Sequence, residues 1–205
     1  MNAAADALRP GAPAGTPVLM AKLAVLGMIA GAISWGLVNF ADQLNMKFEY
    51  EGYGLELLPI GVYPGLAFGF LFGGFLRLGA GISWPRATGY VAAAGLAYLA
   101  AFHVAFYLIA TIDQQGPLTV TLSGVPAGLA GSLVLGLLAK FLLRVPVRLV
   151  LRLPVVVGTL TGALLGLGTI DDHNGWGFLA FFVLWQGAYG ASLAPMVQAG
   201  VRPSV

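Results

Sequence analysis

Cysteine is absent from the chain, which removes disulfides, iron–sulfur ligation, thiolate zinc sites and cysteine nucleophiles in one step. Charge is nearly absent too. Charged residues make up 9% of the sequence, against roughly a quarter in an ordinary soluble domain, so water is not the expected solvent. The few basic residues are scattered near helix ends and the net charge is only +2, which gives nucleic-acid binding no footing. Catalytic patterns are missing as well: no H-E-x-x-H, no supported serine–histidine–acid set, no paired intramembrane aspartates, no phosphate-cradling loop followed by lysine. The chain is therefore not expected to be an enzyme.

Apolar sequence fills the space those absences leave. Hydrophobic residues make up 59% and mean hydropathy is +0.88, with apolar runs near the ~20 residues of helix that span a hydrocarbon core. Runs bounded by charge and turn signals predict helices at about 18–40, 58–78, 87–110, 118–143, 152–170 and 177–198. The expected fold is an all-α polytopic transmembrane bundle of six spans. Residues 1–17, rich in Ala, Pro and Gly, read as a flexible cytoplasmic tail, 18–198 as the transmembrane domain and 199–205 as a short cytoplasmic tail. The first apolar run is too long for a signal-peptide core, so no cleaved leader is expected.

Loop charges give an orientation. Arg9, Lys22, Arg77, Arg86, Lys140, Arg144, Arg148, Arg152 and Arg202 fall on one side of the six spans. The other side receives Asp42, Glu49, Glu51, Glu56, Asp113, Asp171 and Asp172, with Lys47 as its one basic residue. Because Lys and Arg concentrate on the cytoplasmic face, both termini are expected in the cytoplasm, with the chain in a plasma membrane of the bacterial inner-membrane type.

An internal repeat is visible in outline. Gly61, Val62, Gly65, Leu66 and Ala67 match Gly124, Val125, Gly128, Leu129 and Ala130 in spacing, each set with an enclosed proline, Pro64 or Pro126. Asp42–Gln43 and Asp113–Gln114 follow the helices before them, and Thr169-Ile170-Asp171 echoes Thr111-Ile112-Asp113. The pattern suggests three helical hairpins in parallel orientation.

Small residues recur every fourth position: Gly65, Gly69 and Gly73; Gly124, Gly128, Ser132 and Gly136; Gly158, Gly162 and Gly166. Such glycine-zipper stripes let helix backbones approach closely, and internal helix packing is their expected use. Ionisable residues within a span cost roughly 2.5–3.5 kcal/mol and usually mark function. His103 is the one such side chain here, a candidate proton-relay group, a ligand for a metal or tetrapyrrole pigment, or a simple interhelical hydrogen-bonder; Asn39 and Gln186 are candidates to bond across helices or touch a polar ligand. Tyr98, Phe102, Phe106 and Tyr107 surround His103, and Phe178, Phe181, Phe182, Trp185 and Tyr189 form a second aromatic surface. Asp171, Asp172 and His173 form a weak candidate metal site in an outer turn. No cofactor is specified.

Two functions follow as expectations. The first is a non-catalytic subunit or scaffold that packs against other membrane proteins, or against itself, within membrane lipids, and whose interior would be dry and closed. The alternative is a small transporter or channel with a polar path near His103, Asn39 and Gln186.

Overall fold

A computed structural model of the protein describes residues 15–43, 58–112, 116–169 and 175–200. All regular structure among them is helical: α1 (Gly15–Gln43), α2 (Leu58–Gly79), α3 (Trp84–Thr111), α4 (Pro117–Leu143), α5 (Val147–Leu151), α6 (Leu153–Gly162), a 3₁₀ segment (Ala163–Thr169), α7 (Trp176–Ser192) and α8 (Ala194–Gly200). Prolines help to start α3 and α4, where a missing N–H lies in the first turn and costs nothing. At the end of α4, Arg144 takes φ 55°, its N–H reaching the Lys140 carbonyl in a left-handed cap.

The fifth and sixth helices differ from the expected straight spans at 152–170 and 177–198. The fifth is in three pieces, broken at Arg152 and wound as 3₁₀ from Ala163. Pro154 explains the first break, since it has no N–H for the Val150 carbonyl and its ring crowds that oxygen. The sixth bends by 41° between α7 and α8, where Pro195 leaves the Ala191 carbonyl without its helical donor. Among the described residues, five helices are long and apolar enough to cross a membrane, and a sixth is if the bent pair is taken as one.

Each long element packs beside the next in sequence, and α7 returns onto α1, closing a ring. Small residues set the close contacts. Gly65, Gly69 and Gly73 of α2 face α3; Gly124 and Gly128 of α4 face Gly162 and Gly158 of α6; Gly136 faces Val150; Gly166 faces Thr121. Gly187 and Gly190 of α7 face α1 in the same way. At these contacts a side chain has no room: a Cβ on Gly69 would sit 2.8 Å from the Val91 Cα, and one on Gly158 would sit 2.6 Å from the Ser132 Cβ.

The two halves of the ring are filled differently. At the end holding the N-terminus of α1, Leu23, Phe72, Leu76, Tyr90, Ala139, Val150 and Met196 are buried in one continuous apolar core. Here α8 folds in beneath the ring, its Ala194, Met196 and Val197 buried. Outward, large apolar side chains stand exposed all round: Val25, Phe70, Leu96, Leu122, Phe141 and Leu160 are each at least 55% exposed. A soluble monomer rarely shows so much contiguous apolar surface.

Candidate functional site

The half of the ring away from that core holds a partly open cavity of about 390 Å³. Its wall is contributed by α1 (Trp35, Val38, Asn39), α3 (Tyr98, Ala101, Phe102, Ala105, Phe106), α4 (Gly124, Ala127, Gly128), the fifth segment (Gly162, Leu165) and α7 (Phe178, Phe181, Phe182, Trp185). The space follows from the side-chain sizes. Alanines and glycines on α3, α4 and α6 leave the volume, and aromatic residues on α3 and α7 bound it. Phe181 stacks on Trp185 with ring centroids 5.1 Å apart, Trp185 lies 5.0 Å from Tyr98, and Phe102 stacks on Phe106 at 6.2 Å.

The rim is pinned by Trp35. Its Nε1 donates to the Gly175 carbonyl at 3.0 Å and its ring stacks on Trp176 at 6.1 Å, tying α1 to the start of α7. Gly175 takes φ 67° at that turn, in the left-handed region that glycine enters freely. Asn39 also belongs to the wall, its Nδ2 donating to the Trp35 carbonyl at 2.8 Å.

Toward the middle of the bundle, a smaller space of about 40 Å³ shares Tyr98, Gly128 and Trp185 with the larger one and adds Ser132, Gln186 and Tyr189. Gln186 is the polar centre of this site, 2% exposed. Its Nε2 donates to Ser34 Oγ at 2.9 Å and, more weakly, to the Tyr98 hydroxyl at 3.4 Å. Ser34 uses its own proton on the Ala30 carbonyl at 2.7 Å, so it can only accept from Gln186, which fixes the amide's orientation. Gln186 Oε1 is then left buried with no protein partner, as are the Trp185 Nε1 and the Tyr189 hydroxyl. Ser132 spends its proton locally, on the Gly128 carbonyl at 2.6 Å. Native proteins satisfy most buried polar atoms, and orphaned ones cost about 1–3 kcal/mol each. All three belong to residues that border the smaller space, and Trp185 borders the larger one as well.

Among the described residues the wall carries no Asp, Glu, Lys, Arg or His. His103 is exposed on the outer surface of the bundle, away from both spaces, with Nδ1 donating to the Leu99 carbonyl at 2.9 Å one turn back. The structure thus places Asn39 on the wall of the larger cavity, Gln186 on the smaller space and His103 on neither. Asp171, Asp172 and His173 lie outside the described residues, and no cluster of three metal-ligating side chains occurs among those described. Ser34 and Trp35 escaped the sequence reading, which took Ser132 as a packing residue of a small-residue stripe. The signal for Ser34 was its place on the small-residue face of α1, in register with Gly27 and Gly31, both of which pack on α7.

No family model, curated protein or solved structure matches this chain.

Proposed function

We propose that the protein is an integral membrane protein that binds a small, uncharged, mainly apolar molecule inside its helical ring, as a membrane-embedded binder or carrier. The carrying observation is the cavity of about 390 Å³, which has the size and apolar wall with few polar groups that characterise small-molecule sites. Its wall lacks the charges that ion passage uses, and a packed core fills the other half of the ring, so an aqueous channel has little support. The small-residue stripes are occupied by contacts within the chain, so they add no docking face in support of a scaffold role.

The membrane reading has its own support. In a bilayer the exposed Phe, Leu and Val side chains would meet lipid, the bent α7–α8 pair would complete six spans, and Lys22, Arg77, Arg86, Lys140, Arg148 and Arg152 would share the cytoplasmic end. On that orientation, both termini are cytoplasmic, the membrane is of the bacterial inner type, and the cavity lies in the outer leaflet. The recurrence of small-residue contacts from α2 to α3, α4 to α6 and α7 to α1 is compatible with three repeated hairpins.

Ligand-induced stabilisation tests the function. Purified protein in a mild detergent is heated with and without naphthalene, a two-ring hydrocarbon. A compound that binds only the folded state raises its stability by about 2.7 kcal/mol at a hundred times Kd, so the melting temperature should rise. Ala105→Phe and the milder Ala105→Leu, which place carbon in the cavity, should lose the rise in proportion to size while staying monodisperse. Equal shifts in the native and filled proteins would mean that naphthalene acts through the detergent, and the cavity reading would fail.

A further inference from the structure

Among the cavities, exposed surfaces, helix breaks and unused polar groups, the polar end of the chamber carries an inference furthest. Gln186 Oε1 can only accept a hydrogen bond and Trp185 Nε1 can only donate one. Both are buried and without a protein partner, and both residues border the 40 Å³ space. The Tyr189 hydroxyl beside them can do either. A group seated there is complemented most fully if it donates and accepts at once, as an alcohol, a phenol or an N–H carbonyl heterocycle does.

The wall sets the remainder of the molecule. An apolar cavity of 150 Å³ holds benzene, so one of about 390 Å³ has room for a body of two rings or an equivalent branched chain. Aromatic faces of Phe102, Phe181 and Phe182 border that body. An ionised head has no counter-charge in the wall, and an isolated charge is far too costly to desolvate. The chamber therefore selects against carboxylates, phosphates and ammonium groups.

We infer that the ligand is a neutral amphiphile with one donor–acceptor head, held by Gln186 and Trp185, and an apolar body of about two rings lying in the larger chamber. This rests on the cavity being a ligand site, as argued above, and adds the head-group chemistry. The 40 Å³ space is also large enough for a single water, which would satisfy the same atoms without discriminating between ligands. Discrimination is thus what the experiment must read.

Affinities of naphthalene, 2-naphthol and 2-naphthoate are measured by thermal shift in detergent, each corrected by the Ala105→Phe protein to remove micelle partitioning. One net hydrogen bond between neutral groups corresponds to about a twofold to twelvefold gain in affinity, so 2-naphthol should bind tighter than naphthalene by a factor in that range. The naphthoate should show no saturable binding. Gln186→Leu should bring 2-naphthol down to the naphthalene value and leave naphthalene bound, which also shows that the variant is folded; Trp185→Phe, which keeps an aromatic face without the N–H, should reduce the preference. If none of the three compounds binds saturably, the cavity reading itself falls and this inference with it. If naphthalene and 2-naphthol bind alike, or the naphthoate binds best, the cavity reading stands and the head-group assignment is overturned.

Discussion

Replacing Gln186 with leucine should leave the ligand-free protein as stable as before or more so. The side chain donates two hydrogen bonds to other helices, at 2.9 Å to Ser34 and 3.4 Å to Tyr98. Interhelical bonds of this kind average about 0.6 kcal/mol within membranes, and the longer one is near the limit of a hydrogen bond, so their loss costs about 1 kcal/mol. Against this stands Oε1, buried without a protein partner, whose removal relieves about 1–3 kcal/mol. Ser34 keeps its bond to the Ala30 carbonyl, and leucine restores apolar contact of similar volume. The balance is a gain of about 0–2 kcal/mol. Reversible unfolding in mixed micelles with rising dodecyl sulfate, followed by tryptophan fluorescence, measures it. A loss larger than about 2 kcal/mol would refute the reasoning: Gln186 would then be a structural clasp joining α1, α3 and α7, with no polar capacity left over for a ligand.

Three other substitutions probe separate parts of the account. Gly158→Val forces a Cβ to within 2.6 Å of the Ser132 Cβ across the α4–α6 contact, and overpacking of this kind should cost about 1–3 kcal/mol or more in the same unfolding assay. Gly175→Ala puts a side chain on a residue at φ 67° and 3.3 Å from Trp35 Nε1; a loss of roughly 1–2 kcal/mol, with a changed near-ultraviolet signal from the Trp35–Trp176 pair, is expected. His103→Ala alters an exposed side chain bonded within its own helix, so stability should stay within about 0.5 kcal/mol and naphthalene binding should not change.

Length and apolarity placed the long helices within a few residues, because the ends are marked by Pro85, Pro117 and the charged turns. The two breaks escaped for a physical reason: a run of apolar letters counts residues and does not register that Pro154, near the start of one expected span, and Pro195, near the end of the other, each withhold a donor. Gln186 stood out in the sequence as a polar residue among aromatics. Its partner Ser34 did not, because the two are 152 positions apart and only ring closure between α1 and α7 brings them together. His103 shows what periodicity leaves open. Successive helical residues are turned by about 100°, so Phe102 can line the cavity while its neighbour faces outward, and hydropathy does not fix the phase of an apolar helix. A phase signal was nevertheless present: Ala94, Ala97, Ala101 and Ala105 make the small, buried face of α3, and close helix approach favours just such residues. His103 is off that face. The acidic turn at Asp171 and Asp172 lies outside the described residues, so its expected role has no geometric counterpart here.

The most direct test of the internal site is anomalous diffraction from crystals of the protein soaked with 2-bromonaphthalene, beside crystals of Ala105→Phe treated identically. The account predicts a bromine peak inside the ring, bounded by Trp35, Phe102, Gly128 and Phe181, that is lost from the filled variant. Peaks confined to the outer apolar surface, with the interior wall closed on itself, would contradict it.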